Sequence, residues 1–156
     1  MSLYGPRKNV SFLIIGGGAW GLSLANTLAR INPEVFLWDG DRKLLDSLNK
    51  NRAHPIFCSD TKIHQNIKIV VDLIERKYDA ICFVTPFQVL EAVVQLVRKK
   101  KVTADHYICA SKGIDINNLQ LAHEIMKPLL LEETSFVQLS GPSFAYEVMK
   151  GLSLIH

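Results

Sequence analysis

Short unbroken runs of apolar residues alternate along this chain with longer segments in which apolar residues recur every three or four positions. The unbroken runs are typical of strands buried on both faces, and the helical recurrence is typical of helices with one buried face. The runs predict six strands, over residues 10–15, 34–38, 67–71, 79–84, 106–110 and 135–139. The intervening segments predict helices over 19–31, 41–51, 87–101 and 119–131, a short helix over 72–77, and a loop over 52–66.

This alternation predicts the fold class. Strands that alternate with helices pair in parallel, because each helix returns the chain to the start of the next strand by a right-handed crossover. We therefore predict an α/β fold with a Rossmann-like, doubly wound, mostly parallel sheet of about six strands. Such sheets bind ligands at the carboxyl ends of their strands. The segments at those ends are 16–21, 39–42, 85–88, 111–113 and 140–143.

The size and composition of the chain fit one globular domain. It has 156 residues, of which 48% are apolar and 21% are charged. A domain of this size buries enough surface to build a core without disulfides, which excludes a disulfide-dependent miniprotein as well as a disordered tail. We expect one domain over residues 1–156, with residues 1–8 as a flexible tail.

Charge and hydropathy argue against two classes of partner. The net charge of +3 is weak for nucleic-acid binding, and the basic run 98–101 closes a predicted helix, where cations oppose the negative end of the helix dipole. The alternative for that run is a phosphate-contacting patch. Residues 10–29 are uncharged, but glycines at 16–18 interrupt the apolar run, which favours a strand, a turn and a helix over a membrane span. We expect neither a nucleic-acid nor a membrane partner.

The cysteines and histidines predict no metal site. Cys58, Cys82 and Cys109 form no Cys-x-x-Cys pair, and the last two lie in predicted strands, where a free cysteine behaves as a small apolar residue. This pattern indicates a reducing compartment, and we expect a cytoplasmic protein. The five histidines are scattered and lack the spacing of metal ligands.

The segment 16–21, Gly-Gly-Gly-Ala-Trp-Gly, fits the pattern G-x-G-x-x-G between a predicted strand and a predicted helix. In that context Gly16 permits a tight turn, Gly18 lets a pyrophosphate approach the backbone, and Gly21 lets the helix pack on the strand. The helix N-terminus would add free N–H groups and partial positive charge. The alternative is a glycine-rich turn that serves packing only.

An acidic residue stands where a dinucleotide would present its ribose. Asp39 ends the second predicted strand, eighteen residues after Gly21, and a carboxylate there accepts hydrogen bonds from the adenosine ribose of NAD. Asp41 competes for this role, although it also suits the cap of the next helix. Arg42 lies nearby and suits the 2′-phosphate of NADP, so the sequence leaves the choice of cofactor open.

Polar residues follow the fifth and sixth predicted strands. Ser111-Lys112-Gly113 follows the fifth strand, and Ser140-Gly141-Pro142-Ser143 follows the sixth. Their hydroxyls, backbone N–H groups and ammonium suit a phosphate or a small polyol. The alternative is an exposed lysine and an ordinary turn, and spacing alone favours neither.

Taken together, these motifs resemble the N-terminal domain of the NAD(P)-dependent glycerol-3-phosphate dehydrogenases over nearly all of residues 10–152. The most specific are the Ser-Lys-Gly motif at 111–113 and the motif Ser-Gly-Pro-Ser-Phe-Ala-Tyr-Glu at 140–147, with Lys112 and Gly141 29 residues apart. The matching segments are 16–21, 37–38, 51–52, 57–60, 84–87, 111–113 and 140–147. The chain departs from the family at Cys58-Ser59, where Leu-Pro is usual, and at Asp39-Gly40, where the family varies with its cofactor.

The resemblance implies roles for further residues. Beside Gly16, Gly18, Gly21 and Asp39, it implies that the dinucleotide contacts Ala19, Trp20, Lys112 and Ala145. It implies that the substrate contacts Lys112, Gly141 and Ser143.

The implied reaction is hydride transfer between NAD or NADP and carbon 2 of glycerol 3-phosphate, giving dihydroxyacetone phosphate. Lys112 would be catalytic by polarising the oxygen on that carbon. In the family a second lysine, in a following helical domain, is thought to be the acid–base group, and no segment here matches that domain. We therefore expect a truncated chain that binds its cofactor without full turnover, and we allow for a homodimer. The alternatives are a non-catalytic dinucleotide-binding module, or the cofactor domain of a ketopantoate reductase or 6-phosphogluconate dehydrogenase type.

Overall fold

The structure, a computed structural model, describes residues 9–141 and 144–151, and the expected tail over 1–8 lies outside them. Its strands are β1 (Phe12–Ile15), β2 (Val35–Trp38), β3 (Ile67–Ile69), β4 (Arg76–Phe83), β5 (Val102–Cys109) and β6 (Ser135–Gln138). Its helices are α1 (Ala19–Ala29), α2 (Arg42–Asn51), α3 (Leu90–Lys99), α4 (Ala122–Met126) and α5 (Ala145–Lys150). Short 3₁₀ turns at Phe87–Val89 and Lys127–Leu129 adjoin α3 and α4.

Within the described residues, six strands form one parallel sheet in the order β3-β2-β1-β4-β5-β6. The chain winds outward from β1 to one side and then returns to continue from β4 on the other, so the order switches between β1 and β4. The register aligns the ends of five strands side by side, at Trp38, Ile15, Phe83, Cys109 and Gln138. The segments that follow these strands therefore leave along one edge of the sheet. The predicted Rossmann-like fold is confirmed.

Both faces of the sheet are covered. Leu13 and Ile15 point to a core shared with α3 and α4, while Ile14, between them, points to a core shared with α1. All three side chains are fully buried. Burial on both faces explains why β1 is an unbroken apolar run, since neither set of alternating residues meets water.

The short helix predicted over 72–77 is wrong, because β4 already begins at Arg76. Arg76 and Lys77 pair in register with residues at the start of β5, and their charged side chains stay at the surface. The guanidinium of Arg76 lies over the ring of Phe36, 4.2 Å from its centroid, and Tyr78 packs edge-to-face on the same ring at 5.4 Å. These contacts across the sheet decide in favour of a strand, and local sequence does not contain them.

Other boundaries move for similar reasons. Strand β5 begins at Val102, four residues before the predicted start, because it pairs with the extended part of β4. The helix predicted over 119–131 shrinks to α4, followed by a 3₁₀ turn that contains Pro128, whose ring cannot donate a helical hydrogen bond. The predicted helix over 87–101 begins with a 3₁₀ turn and becomes α-helical at Leu90.

Helix α5 was not predicted as an element. It is only six residues long, too short for a clear period in the sequence. It packs against α1, where the fully buried Met149 joins the core and the carbonyl of Met149 accepts a hydrogen bond from Arg30 at 3.0 Å. This packing brings the start of α5 beside the glycine segment.

Candidate functional site

The three glycines of the motif differ in what surrounds them. Gly16 has φ of +115°, and a Cβ atom there would lie 2.6 Å from the carbonyl oxygen of Val84. A Cβ atom at Gly21 would lie 1.9 Å from the carbonyl oxygen of Gly16. At Gly18, by contrast, no described atom beyond the adjoining backbone lies within 4 Å of that position. Gly16 and Gly21 are therefore required by the fold, whereas the space at Gly18 is open to a ligand.

The N-terminus of α1 faces that open space. Gly18 is its N-cap residue, and among the described residues no side chain caps it and no acidic residue lies in its first turn. The N–H groups of a first helical turn lack partners within the helix and carry partial positive charge. The backbone here can therefore bind an anion such as a pyrophosphate.

Asp39 is held in place by the backbone. Its carboxylate accepts hydrogen bonds from the N–H of Gly17 at 2.6 Å and from the N–H of Asp41 at 2.8 Å. Asp41 in turn caps α2, accepting from the N–H of Lys43 at 2.8 Å and of Leu44 at 3.3 Å. The structure thus links Asp39 to the glycine segment and gives Asp41 the capping role that its position suggested.

A cavity of about 510 Å³ lies between the ends of β1, β2 and β4. It is lined by Gly16, Gly18, Trp38, Asp39, Gly40, Asp41, Leu44, Val84, Thr85, Pro86, Val89 and Val93. This mixture of apolar side chains, two carboxylates and free backbone suits the adenosine part of a dinucleotide. Thr85 Oγ1 is a buried side-chain oxygen that finds no hydrogen-bond partner among the described residues. The residues present fit a dinucleotide.

Trp20, Lys112 and Ala145, predicted from separate motifs, come together. They line a cavity of about 280 Å³ with Ala110 and Phe144. The Nζ atom of Lys112 lies 3.5 Å from the carbonyl oxygen of Gly141, so the two most specific motifs of the sequence meet. Ser143, the remaining predicted substrate contact, lies outside the described residues.

Hydrogen bonds of Ser111 hold the segment that carries Lys112 in place. Ser111 is buried, and its hydroxyl donates to the carbonyl of Thr85 at 2.7 Å. Gln138 Nε2 lies 3.3 Å from the carbonyl of Ser111. Lys112 itself is exposed and also lines a second cavity of about 510 Å³ towards α4, with His123 and Gln138. A fixed backbone below an exposed ammonium, whose one described contact is the long one to Gly141, suits a group that must meet an anionic ligand.

Sequence reasoning missed Ser23, which joins α1 to α5. Its hydroxyl is fully buried and lies 2.8 Å from the carbonyl oxygen of Ala19 and 2.7 Å from that of Ala145. Ser23 thus couples two predicted dinucleotide contacts. The available signal was a serine on the apolar face of the helix after the glycines, since a polar group buried there needs a partner.

The cysteines take no part in the site. Cys58, Cys82 and Cys109 are buried and free, and burial raises the pKa of the Cys82 thiol to about 12. A thiol with such a pKa stays protonated at neutral pH and is a poor nucleophile. In the described part of the chain, no three His, Cys, Asp or Glu side chains are grouped as metal ligands.

The fold defines a Rossmann-type domain, with a glycine turn and a helix N-terminus beside the switch in strand order and a carboxylate at the end of the neighbouring strand β2. The family model described as "NAD-dependent glycerol-3-phosphate dehydrogenase N-terminus" matches residues 11–154. The chain belongs to this oxidoreductase family.

Curated relatives of the chain are named as glycerol-3-phosphate dehydrogenases. The glycerol-3-phosphate dehydrogenase (NAD(P)+) of Parvibaculum lavamentivorans is 31% identical over 140 residues, which are 89% of this chain and 42% of the relative. That of Syntrophotalea carbinolica is 32% identical over 139 residues, covering 86% of this chain and 42% of the relative. The chain thus spans less than half the length of these relatives.

Solved structures agree on the fold. A glycerol-3-phosphate dehydrogenase of Coxiella burnetii superposes with a TM-score of 0.79 at 22% identity, covering 92% of this chain and 44% of the other. The structure of DsGPDH of Dunaliella salina gives a TM-score of 0.77, also at 22% identity, covering 92% of this chain and 28% of the other. Among the described helices, none is both long and apolar enough to cross a bilayer.

Proposed function

We propose that this chain binds NAD or NADP and forms the cofactor domain of a glycerol-3-phosphate dehydrogenase. The observation that carries the proposal is the meeting of Trp20, Lys112 and Ala145 around one cavity, next to the glycine turn. These residues come from three segments far apart in sequence, and a turn that served packing alone would give no reason for them to converge. The proposed domain covers residues 1–156, with 1–8 as a tail.

The proposed division of roles follows the cavities. The pyrophosphate lies on the backbone at Gly18, Ala19 and Trp20, where N–H groups are free. The adenosine occupies the cavity beside Asp39, and the nicotinamide end extends towards Lys112 and Ala145. Held in this way, the ring is presented at the edge of the sheet where the proposed substrate contacts lie.

The substrate in this proposal is sn-glycerol 3-phosphate or dihydroxyacetone phosphate, held by Lys112, Gly141 and Ser143. When bound, NAD or NADP supplies the hydride acceptor or donor. The ammonium of Lys112 stabilises negative charge on the oxygen at carbon 2 as that bond changes order. Because Lys112 is exposed and rests on a fixed segment, its Nζ atom can turn from the Gly141 carbonyl to a substrate oxygen.

The test is a titration of NADH and NADPH into the purified chain, followed by dihydroxyacetone phosphate while the absorbance of the reduced nicotinamide is recorded. We expect binding of at least one nucleotide without meaningful turnover, because the curated relatives are more than twice as long. A Lys112→Ala variant should bind NADH more weakly if the cofactor reaches that residue. Failure of both nucleotides to bind would refute the proposal, and rapid turnover would refute the need for further residues.

We also propose that the chain associates with itself. The exposed fractions of Val137, Phe144 and Tyr146 are 48%, 73% and 49%, and Val137 lies on β6, the last strand of the sheet in the described structure. An edge strand and a neighbouring helix that expose apolar side chains are prone to association. Sedimentation velocity should show a concentration-dependent dimer, which Val137→Glu should weaken. A monomer at high concentration would contradict this.

For the cell compartment we propose the cytoplasm. The support is that Cys58, Cys82 and Cys109 are all free thiols in the described structure, as expected where thiols are kept reduced.

A further inference from the structure

We propose that this chain discriminates against NADPH and selects NADH. The inference rests on the proposed function, since it concerns the adenosine end of the same dinucleotide site. The names of the curated relatives leave the cofactor open as NAD(P)+. In this chain, the side chains at the proposed ribose end favour NADH, because their charges and hydrogen bonds suit a ribose hydroxyl better than a 2′-phosphate.

Asp39 offers a fixed acceptor. Its two carboxylate oxygens accept from two backbone N–H groups, of Gly17 and Asp41, so the carboxylate cannot swing away without losing both hydrogen bonds. It is half-buried and lines the cavity at the end of β2. A ribose hydroxyl can donate to such a carboxylate, whereas a 2′-phosphate only accepts and carries a charge of about −1.5 to −2.

The cavity supplies no cation to offset a phosphate. Its lining includes two carboxylates, Asp39 and Asp41, and among the described residues that line it none is Lys, Arg or His. Asp41 is also fixed, by its capping of α2. A 2′-phosphate would therefore lie beside two carboxylates in the partly enclosed mouth of the cavity, where like charges repel.

Two basic side chains near the cavity, Arg42 and His54, are engaged by other groups. The guanidinium of Arg42 is paired with Asp72, with 2.5 Å between Nη2 and Oδ1. His54 uses its Nδ1 atom to accept from the N–H of Ile56 at 3.1 Å and of Phe57 at 2.8 Å, an arrangement that suits the neutral ring. Burial lowers the pKa of His54, against the opposing effect of the Asp39 charge. The arginine is therefore held by Asp72 and would have to leave that carboxylate to meet a phosphate, and the neutral histidine adds no charge.

The decisive measurement is calorimetric titration of the full chain with NADH and with NADPH at low and high salt. We expect NADH to bind between about 10- and 100-fold more tightly at low salt, as expected for uncompensated like charges. The ratio should narrow as salt rises, because salt screens exposed charges. NADPH binding as tight as that of NADH would overturn this inference and leave the proposed function standing, whereas failure of both would overturn the two together.

Two variants test which side chains produce the preference for NADH over NADPH. Asp39→Asn keeps an acceptor for the N–H of Gly17 but removes the charge, so the ratio should fall to within about threefold. A loss of affinity by the same factor for both nucleotides would overturn the role of Asp39 in selection. Circular dichroism checks that the variant folds.

Asp72→Asn keeps the inference testable even if the first variant does not fold, because Asp72 lies outside the cavity lining. Freeing Arg42 should tighten NADPH binding about two- to fivefold, the change in affinity that one exposed ion pair typically provides. NADH binding should stay unchanged. The matched control is Glu75→Gln, which removes an acid that pairs with Lys101 instead of Arg42. Equal effects of the two variants would overturn the part assigned to Arg42.

Discussion

A Gly18→Val variant should fold like the parent chain and lose dinucleotide binding. No described atom beyond the adjoining backbone lies within 4 Å of the Cβ position at Gly18, and its φ of −67° with ψ of −177° is accessible to valine. The described structure therefore accepts a Cβ atom at this position without a clash. The pyrophosphate in our proposal needs that same space, so the valine methyl groups would keep it from the N–H groups of α1.

We expect this loss to exceed about 100-fold in affinity for NADH, since the contacts of both phosphates with the helix N-terminus would be lost together. Calorimetric titration measures the affinity, and thermal unfolding checks that the fold is intact. The matched control is Thr27→Val, a β-branched substitution on the exposed face of the same helix. Wild-type affinity in Gly18→Val would contradict the assignment of the pyrophosphate to this turn.

A Gly21→Ala variant, unlike Gly18→Val, should lower the free energy of unfolding of the whole domain. A Cβ atom there would lie 1.9 Å from the carbonyl oxygen of Gly16. That oxygen belongs to the backbone at the end of β1 and cannot rotate away, so α1 would have to move off the sheet that it covers. Overpacking of this kind typically costs 1–3 kcal/mol and occasionally more, and we expect roughly 3 kcal/mol here.

Chemical denaturation of the free protein measures this cost without reference to any ligand. Thr27→Ala, in the same helix but exposed, should change the free energy of unfolding by no more than about 0.5 kcal/mol. An unchanged midpoint for Gly21→Ala would contradict the packing of α1 against the glycine turn. Together the two glycine variants separate the glycine that the fold needs from the one that the ligand needs.

Much of the fold followed from local pattern. The apolar runs predicted every strand of the described sheet, and the alternation of strands with helices predicted their parallel arrangement. The errors lie where partners distant in sequence decide the outcome. Arg76 and Lys77 belong to β4 only because β5 pairs with them, and a local pattern cannot show such a partner.

The candidate site was also predictable only in part, because local sequence shows its motifs but not how they come together. Motifs at Gly16–Gly21, at Lys112 and at Ala145 could each be recognised in the sequence, but their convergence on one cavity depends on the strand order. The hydrogen-bond partners of Ser23 and the burial of the Thr85 hydroxyl could not be predicted. The buried bonds of Ser23 depend on α5, and the cavity around Thr85 depends on the switch between β1 and β4.

By itself the sequence determined the fold class, the family and the positions of the glycines, because these depend on periodicity and on contiguous motifs. Only the tertiary structure decided which groups the charged side chains at the proposed ribose end contact. Asp39, Asp41 and Arg42 are neighbours in sequence, yet their side chains contact Gly17, the start of α2 and Asp72 respectively. Cofactor choice depends on these contacts, because a charge acts on a ligand only where the fold holds it and leaves it unpaired.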